Sequence, residues 1–187
     1  MDRIGILPIG QVDSEILSRV QESLSTIFTE AKVTIITEAL AIPREAFSRT
    51  RKQYRSDIML AAIRIYAEKQ QDFERVLGVA DVDIFIPRLN FVFGQAECPG
   101  KAGLISLFRL RPEFYGKPAN IQVVIDRGTK EAVHEIGHTL GLTHCENPYC
   151  VMYFSNSIFE TDRKQSLFCH KCYLKTQSTV EKSGYDT

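Results

Sequence analysis

Residues 134–152 read His-Glu-Ile-Gly-His-Thr-Leu-Gly-Leu-Thr-His-Cys-Glu-Asn-Pro-Tyr-Cys-Val-Met. His134 and His138 stand four apart, so on a helix of about 3.6 residues per turn both imidazoles project from one face and can reach one ion. Glu135 is turned about 100° from His134, too far round to share the ion easily but well placed to take a proton from water held there. A continuing helix would carry His144 about 15 Å along the axis from His134, against a zinc–nitrogen bond of about 2.0–2.1 Å, so the chain must turn back. Gly141 stands where that turn is needed, and glycine tolerates positive φ just past a helix end. Three neutral imidazoles on zinc leave a fourth position for water, whose pKa falls to about 7 in such sites. That is a catalytic arrangement. An exposed amphipathic helix, an ordinary cap at Gly141 or core filler at Met152 would each explain one residue alone, and it is the joint spacing that favours a metal site.

Four of the five cysteines follow closely. Cys145-x4-Cys150 and Cys169-x2-Cys172 are two short thiol loops, each able to supply two corners of a tetrahedron, and a four-thiolate zinc is closed to water and structural. Disulfides are the other reading. They need an oxidising compartment, and the sequence opens Met-Asp-Arg-Ile-Gly-Ile-Leu-Pro with no basic leader, long apolar segment or cleavage site, which favours zinc. His170, between the last two cysteines, could replace a thiolate but is expected to face solvent, and Cys98 is left as a lone thiol. Because His144 and Cys145 are consecutive, with Cα atoms about 3.8 Å apart, one stretch of backbone would serve two ions.

The long histidine motif followed by Met152 resembles the metzincin metallopeptidases, and the four cysteines at 145, 150, 169 and 172 resemble one family among them, the archaemetzincins. The likeness is specific over residues 134–172. It implies an α/β (α+β) fold in which a twisted mixed sheet and long helices lie above an active-site cleft, with a methionine turn at Met152 in a small C-terminal subdomain. The division would be residues 1–142, ending in the zinc helix, and 143–187, holding the four-cysteine site. Phe154 stands where certain metzincins carry an additional tyrosine ligand. The implied inventory is two zinc ions per chain, one catalytic on His134, His138 and His144 and one structural on Cys145, Cys150, Cys169 and Cys172. Glu135 would be the general base, and later the acid, of peptide hydrolysis.

The elements that must hold this site are legible in outline. Arg3 to Leu7 reads as a strand, and Asp13 or Ser14 can cap a helix to about Phe28 carrying Ile16, Leu17, Val20, Leu24 and Ile27 at helical spacing. Lys32 to Ile42 has strand composition and Pro43 ends it. A helix is expected from Arg44 to Gln71, with Arg49, Arg51, Lys52 and Arg55 as a solvated face rather than an anion site. Strands are expected at Ala80–Ile86, Val92–Gln95, Gly103–Arg109 and Asn120–Ile125, then the zinc helix from Arg127 to Leu142, burying Val133, Ile136, Gly137 and Leu140. By the same resemblance, Gly103–Arg109 is the candidate edge strand for an extended substrate, although Pro99, Gly100 and Gly103 also suit a plain hairpin.

Composition excludes other classes. At 187 residues, with 44% hydrophobic and 25% charged, the chain suits one globular domain that needs no disulfides. Basic and acidic residues balance at 23 each, so no global field attracts nucleic acid or anionic lipid, and no apolar run approaches the roughly 20 residues that span a bilayer. The expectation is a cytoplasmic monomer acting on a peptide or protein substrate. A zinc-stabilised module that binds peptide without hydrolysing it is the alternative, and hydrolysis of a small amide would use the same groups.

Overall fold

The computed structural model describes residues 3–182, with side chains as far as Gln177. In chain order the elements are β1 (Arg3–Ile9), α1 (Ser14–Ile27), β2 (Lys32–Ile35), a short 3-10 turn (Arg44–Ala46), β3 (Phe47–Ser48), β4 (Gln53–Arg55) and α2 (Ser56–Lys69). There follow β5 (Arg75–Ala80), β6 (Ile84–Phe85), β7 (Gly94–Ala96), β8 (Ala102–Ser106), two 3-10 turns (Phe108–Leu110 and Pro112–Tyr115), α3 (Ile121–Thr139), α4 (Ile158–Arg163) and α5 (His170–Lys182). The expected lower subdomain over 143–187 thus has its last five residues outside the described ones.

The main sheet runs β2-β1-β5-β8-β7, the first four strands parallel and β7 antiparallel to β8. Helices cover both faces, so the central strands are apolar nearly throughout rather than alternating. Ile4, Ile6, Leu77, Val79 and Ile105 pack beneath α1 and α3, whereas Leu7, Ile9, Val76, Ala80 and Leu104 pack against α2. This is the mixed α/β sheet expected from the sequence. Asp13 caps α1, its Oδ1 accepting from the N–H groups of Glu15 and Ile16 at 2.8 and 3.2 Å.

Several boundaries differ from expectation. The helix expected from Arg44 starts only at Ser56, because residues 47–55 form a small hairpin closed by Phe47 on Tyr54, with ring centroids 5.0 Å apart and Lys52 at φ +55. Arg51 donates to the carbonyls of Leu89 and Asn90 and lies over the Phe85 ring, and Arg55 pairs with Asp57 in the first turn of α2, so neither sits within a helix. The strand expected over Asn120–Ile125 is the first turn of α3. Asn120 Oδ1 accepts the Val123 N–H at 3.2 Å, and this cap together with packing on the sheet overrides the strand propensity of Val123, Val124 and Ile125. The strand expected over Lys32–Ile42 stops at Ile35, with one further bridge at Leu40. Gly103–Arg109 is not an edge strand: β8 lies between β5 and β7, all five of its residues buried, and β7 is the outer strand of a hairpin turning through Glu97–Lys101.

Candidate metal sites and active-site cleft

Helix α3 carries the site and its ending shapes it. The Gly141 N–H bonds to His138 O at 2.8 Å and the Leu142 N–H to Gly137 O at 3.0 Å, with Gly141 at φ +87, which is the Schellman arrangement. A side chain at Gly141 would be strained in that left-handed conformation, so the reversal depends on glycine. The reversed chain brings the His144 ring back to 5.4 Å from that of His134 and 4.9 Å from that of His138, and one nitrogen from each of the three lies within 4.8 Å of the others.

The hydrogen bonds around these rings decide which nitrogens are free. His134 Nδ1 bonds to Val151 O and His138 Nδ1 to Leu142 O, both at 2.7 Å. A carbonyl has no proton to give, so each Nδ1 carries the hydrogen and each Nε2 keeps its lone pair. Those two Nε2 atoms face each other at 3.1 Å. Two lone pairs that close repel unless a cation lies between them, and two nitrogens at about 2.0–2.1 Å from one tetrahedral ion would stand at a similar separation. The donor set therefore fits zinc. Burial holds all three imidazoles below their ordinary pKa, His134 furthest, with the Lys164 ammonium adding to the effect, which keeps them neutral and able to bind a metal.

Beside this cluster Glu135 is 4% exposed, and its Oε2 has no hydrogen-bond partner. Burial, then the neighbouring Glu131 carboxylate, push its carboxyl well above the usual range, against the Lys164 ammonium. The nearest strand approaches through Gly94 of β7, where a Cβ would stand 2.4 Å from Glu135 Oε1. A cavity of about 180 Å³ opens here, lined by Phe91, Phe93, His134, Glu135 and Phe154 among others.

The cysteines form a second cluster, which Cys145 joins directly after His144 in the chain. The four Sγ atoms of Cys145, Cys150, Cys169 and Cys172 lie within 4.8 Å of one another, with Cys145 and Cys169 at 3.8 Å. All five cysteines are free, and 3.8 Å is far beyond a disulfide of about 2.05 Å but suits two thiolates on one ion at about 2.3 Å each. The Cys169 N–H donates to Cys150 Sγ at 3.3 Å. Burial raises the thiols of Cys150 and Cys172, whereas Cys169 comes down to about 7: burial opposes ionisation there, but hydrogen bonds from the Cys172 backbone and the other three thiols outweigh it. His170 is exposed, and Cys98 stands apart with its Sγ on Leu142 O at 3.4 Å.

Met152 is fully buried under α3, where a Cβ at Gly137 would meet its Sδ at 2.4 Å. The Cys145 N–H bonds to Met152 O at 2.9 Å, tying the segment that carries His144 to the one below the helix. Phe154 lies against the His144 ring at 4.8 Å.

The sequence profile of peptidase family M54 matches residues 1–178. The chain belongs to peptidase family M54, the archaemetzincins. It is 47% identical over 175 residues to the archaemetzincin of Methanocaldococcus jannaschii, covering 94% of this chain and 93% of that protein. The fold is similar to the crystal structure of the archaemetzincin of Methanopyrus kandleri, with a TM-score of 0.83 and 35% identity over 96% of this chain and 95% of that one. It is likewise similar to a zinc-dependent peptidase of Methanocorpusculum labreanum, with a TM-score of 0.83 and 32% identity over 92% of this chain and 99% of that one. As a member of M54, this chain is a zinc metallopeptidase.

In this M54 fold every site residue expected from the sequence falls into one of the two clusters or, for Glu135, beside the first. Sequence reasoning missed β7 as the strand facing Glu135, and it missed Glu131 and Lys164, a buried ion pair at 3.0 Å. A signal existed for Glu131, a carboxylate one helical turn before Glu135 on the same expected helix. None existed for Lys164, which comes from the far end of α4. No helix among the described residues is long and apolar enough to cross a membrane.

Proposed function

We propose that the chain hydrolyses peptide bonds at the histidine cluster, with zinc held by His134, His138 and His144, and that a second, structural zinc is held by Cys145, Cys150, Cys169 and Cys172. The bound metal would supply a Lewis acid that polarises a carbonyl and makes water nucleophilic near neutral pH. Glu135 takes the proton of the attacking water and returns it to the leaving amine. The observation that carries this reading is Glu135 Oε2, a buried carboxylate oxygen with no protein partner, beside His134 on the wall of the cavity. A buried group left unbonded is costly for stability alone, and a proton carrier must keep one oxygen free.

An extended peptide would lie along β7. As the outer strand it leaves one row of backbone groups unpaired, and such an edge binds peptide backbone without regard to side chains. The cavity next to Glu135 would then receive one substrate side chain. The described residues from 143 onward act as a lower subdomain stapled beneath the cleft by the cysteine site, with Met152 as the turn under α3. The test is mass-spectrometric analysis of a diverse peptide mixture treated with zinc-loaded protein and with Glu135→Ala. Products that need Glu135 support the reading. Identical spectra from the two proteins contradict it and move the function to peptide binding or to a non-peptide substrate.

A further inference from the structure

Lys164 has a relative exposure of 1% and is among the largest fully buried side chains of the described residues. Lysine is almost never so enclosed unless paired, and a buried ion pair is often less stabilising than apolar residues of the same volume. The pairing here is one of charge more than of alignment: Nζ stands 3.0 Å from Glu131 Oε1 without a well-directed hydrogen bond. Thr161 Oγ1 donates to the same oxygen at 3.1 Å. Glu131 is 3% exposed, and the surface it does show lines the cavity that Glu135 lines.

That cavity is about 180 Å³, well below the roughly 300–1,000 Å³ of small-molecule sites, so it suits a single side chain. Its walls include Leu89, Phe91, Val92, Phe93 and Phe154, and Ser155 contributes a buried hydroxyl without a partner. We propose that the Glu131–Lys164 pair makes this cavity selective for uncharged side chains, apolar or with an uncharged polar tip, because its floor is a carboxylate already neutralised from behind. This inference rests on the proposed peptidase function and names its substrate class. An acidic side chain would be buried against Glu131 and Glu135 with no lysine or arginine in the cavity lining to pair with it. A basic one would lose its water to meet a carboxylate already taken by Lys164 and Thr161. A basic chain that paired instead with Glu135 would occupy the group that must move the proton. Ser155, able to donate or accept, tolerates a neutral polar tip.

The test is a positional-scanning library of blocked hexapeptides, read in two ways: cleavage by the zinc-loaded protein, and binding to zinc-loaded Glu135→Gln, in which Glu131 is the only ionisable carboxylate left in the cavity wall. In the unaltered protein one position should favour neutral residues over both charge signs by about tenfold or more. Lys164→Met should move that position toward Lys and Arg, and Glu131→Gln should move it toward Asp and Glu. The double variant Glu131→Gln/Lys164→Met should restore the neutral preference, which a merely structural role would not do. If Lys164→Met alone fails to fold, Glu131→Gln and the double variant still decide. Profiles unchanged in the variants, or lowered equally for every peptide and not restored in the double variant, overturn the proposal. Cleavage without charge selectivity removes this inference and leaves the peptidase reading. Charge-selective binding without cleavage does the reverse, and neither binding nor cleavage removes both.

Discussion

The histidine cluster and the cysteine cluster meet at consecutive residues, His144 and Cys145, and differ in what surrounds their donor atoms. Around the histidines, backbone carbonyls of Val151 and Leu142 fix two rings from behind, His144 is exposed, and the unpartnered Glu135 Oε2 shares a cavity wall with His134. Around the cysteines, four sulfurs face one another and fill a tetrahedron by themselves. Three donors beside a cavity leave a metal able to act on a substrate, whereas four donors leave it able only to hold the chain. The comparison teaches that donor count and the neighbouring free carboxylate, rather than the presence of metal ligands, separate chemistry from scaffolding.

The sharpest way to break the comparison is to remove the scaffold half. Structural zinc is worth about 10–16 kcal/mol of apparent binding energy in small peptides, comparable to or above a whole domain's stability of about 5–15 kcal/mol. Cys169→Ala/Cys172→Ala should therefore leave a chain without cooperative thermal unfolding by circular dichroism. An intact fold and an intact histidine site in that variant would contradict a structural role. Removing the chemical half should act differently. His138→Ala should lose one zinc per chain by elemental analysis while the far-ultraviolet spectrum stays native. Glu135→Ala should keep the metal and lower turnover by about 10²–10⁴, the usual contribution of a positioned acid–base group, measured on any peptide the unaltered protein cleaves. The smallest effect probes the joint beneath both clusters. Gly137→Ala would press a methyl group onto Met152 Sδ, and such overpacking costs about 1–3 kcal/mol, so Tm should fall by several degrees with zinc content unchanged.

What the sequence discloses and what it conceals divides by distance along the chain. His134, Glu135, His138, Gly141, His144 and Cys145 fall within twelve consecutive residues, so helical geometry and one forced reversal suffice to assemble them. The two cysteine loops are equally local. The helix–strand order of the first domain half is readable for the same reason, through the cap at Asp13 and the apolar spacing of α1. Two failures are long-range, and two turn on a short-range contact that propensity does not weigh. Whether Gly103 or Gly94 belongs to the outer strand depends on which partners β8 finds, and β8 is claimed on its other side by β5. Residues 47–55 look helical until Phe47 meets Tyr54, and Val123–Ile125 look extended until Asn120 caps them. Lys164 reaches Glu131 across 33 residues of chain, and no spacing rule anticipates that contact.

The most direct test of the central claim is stepwise chelation of the zinc-loaded protein, with metal content, peptide cleavage and circular dichroism followed on the same samples. The account predicts two zinc ions per chain and two separable events: loss of the first abolishes cleavage and spares the fold, and loss of the second unfolds the chain. A single ion per chain, or cleavage and fold disappearing together in one step, would contradict it.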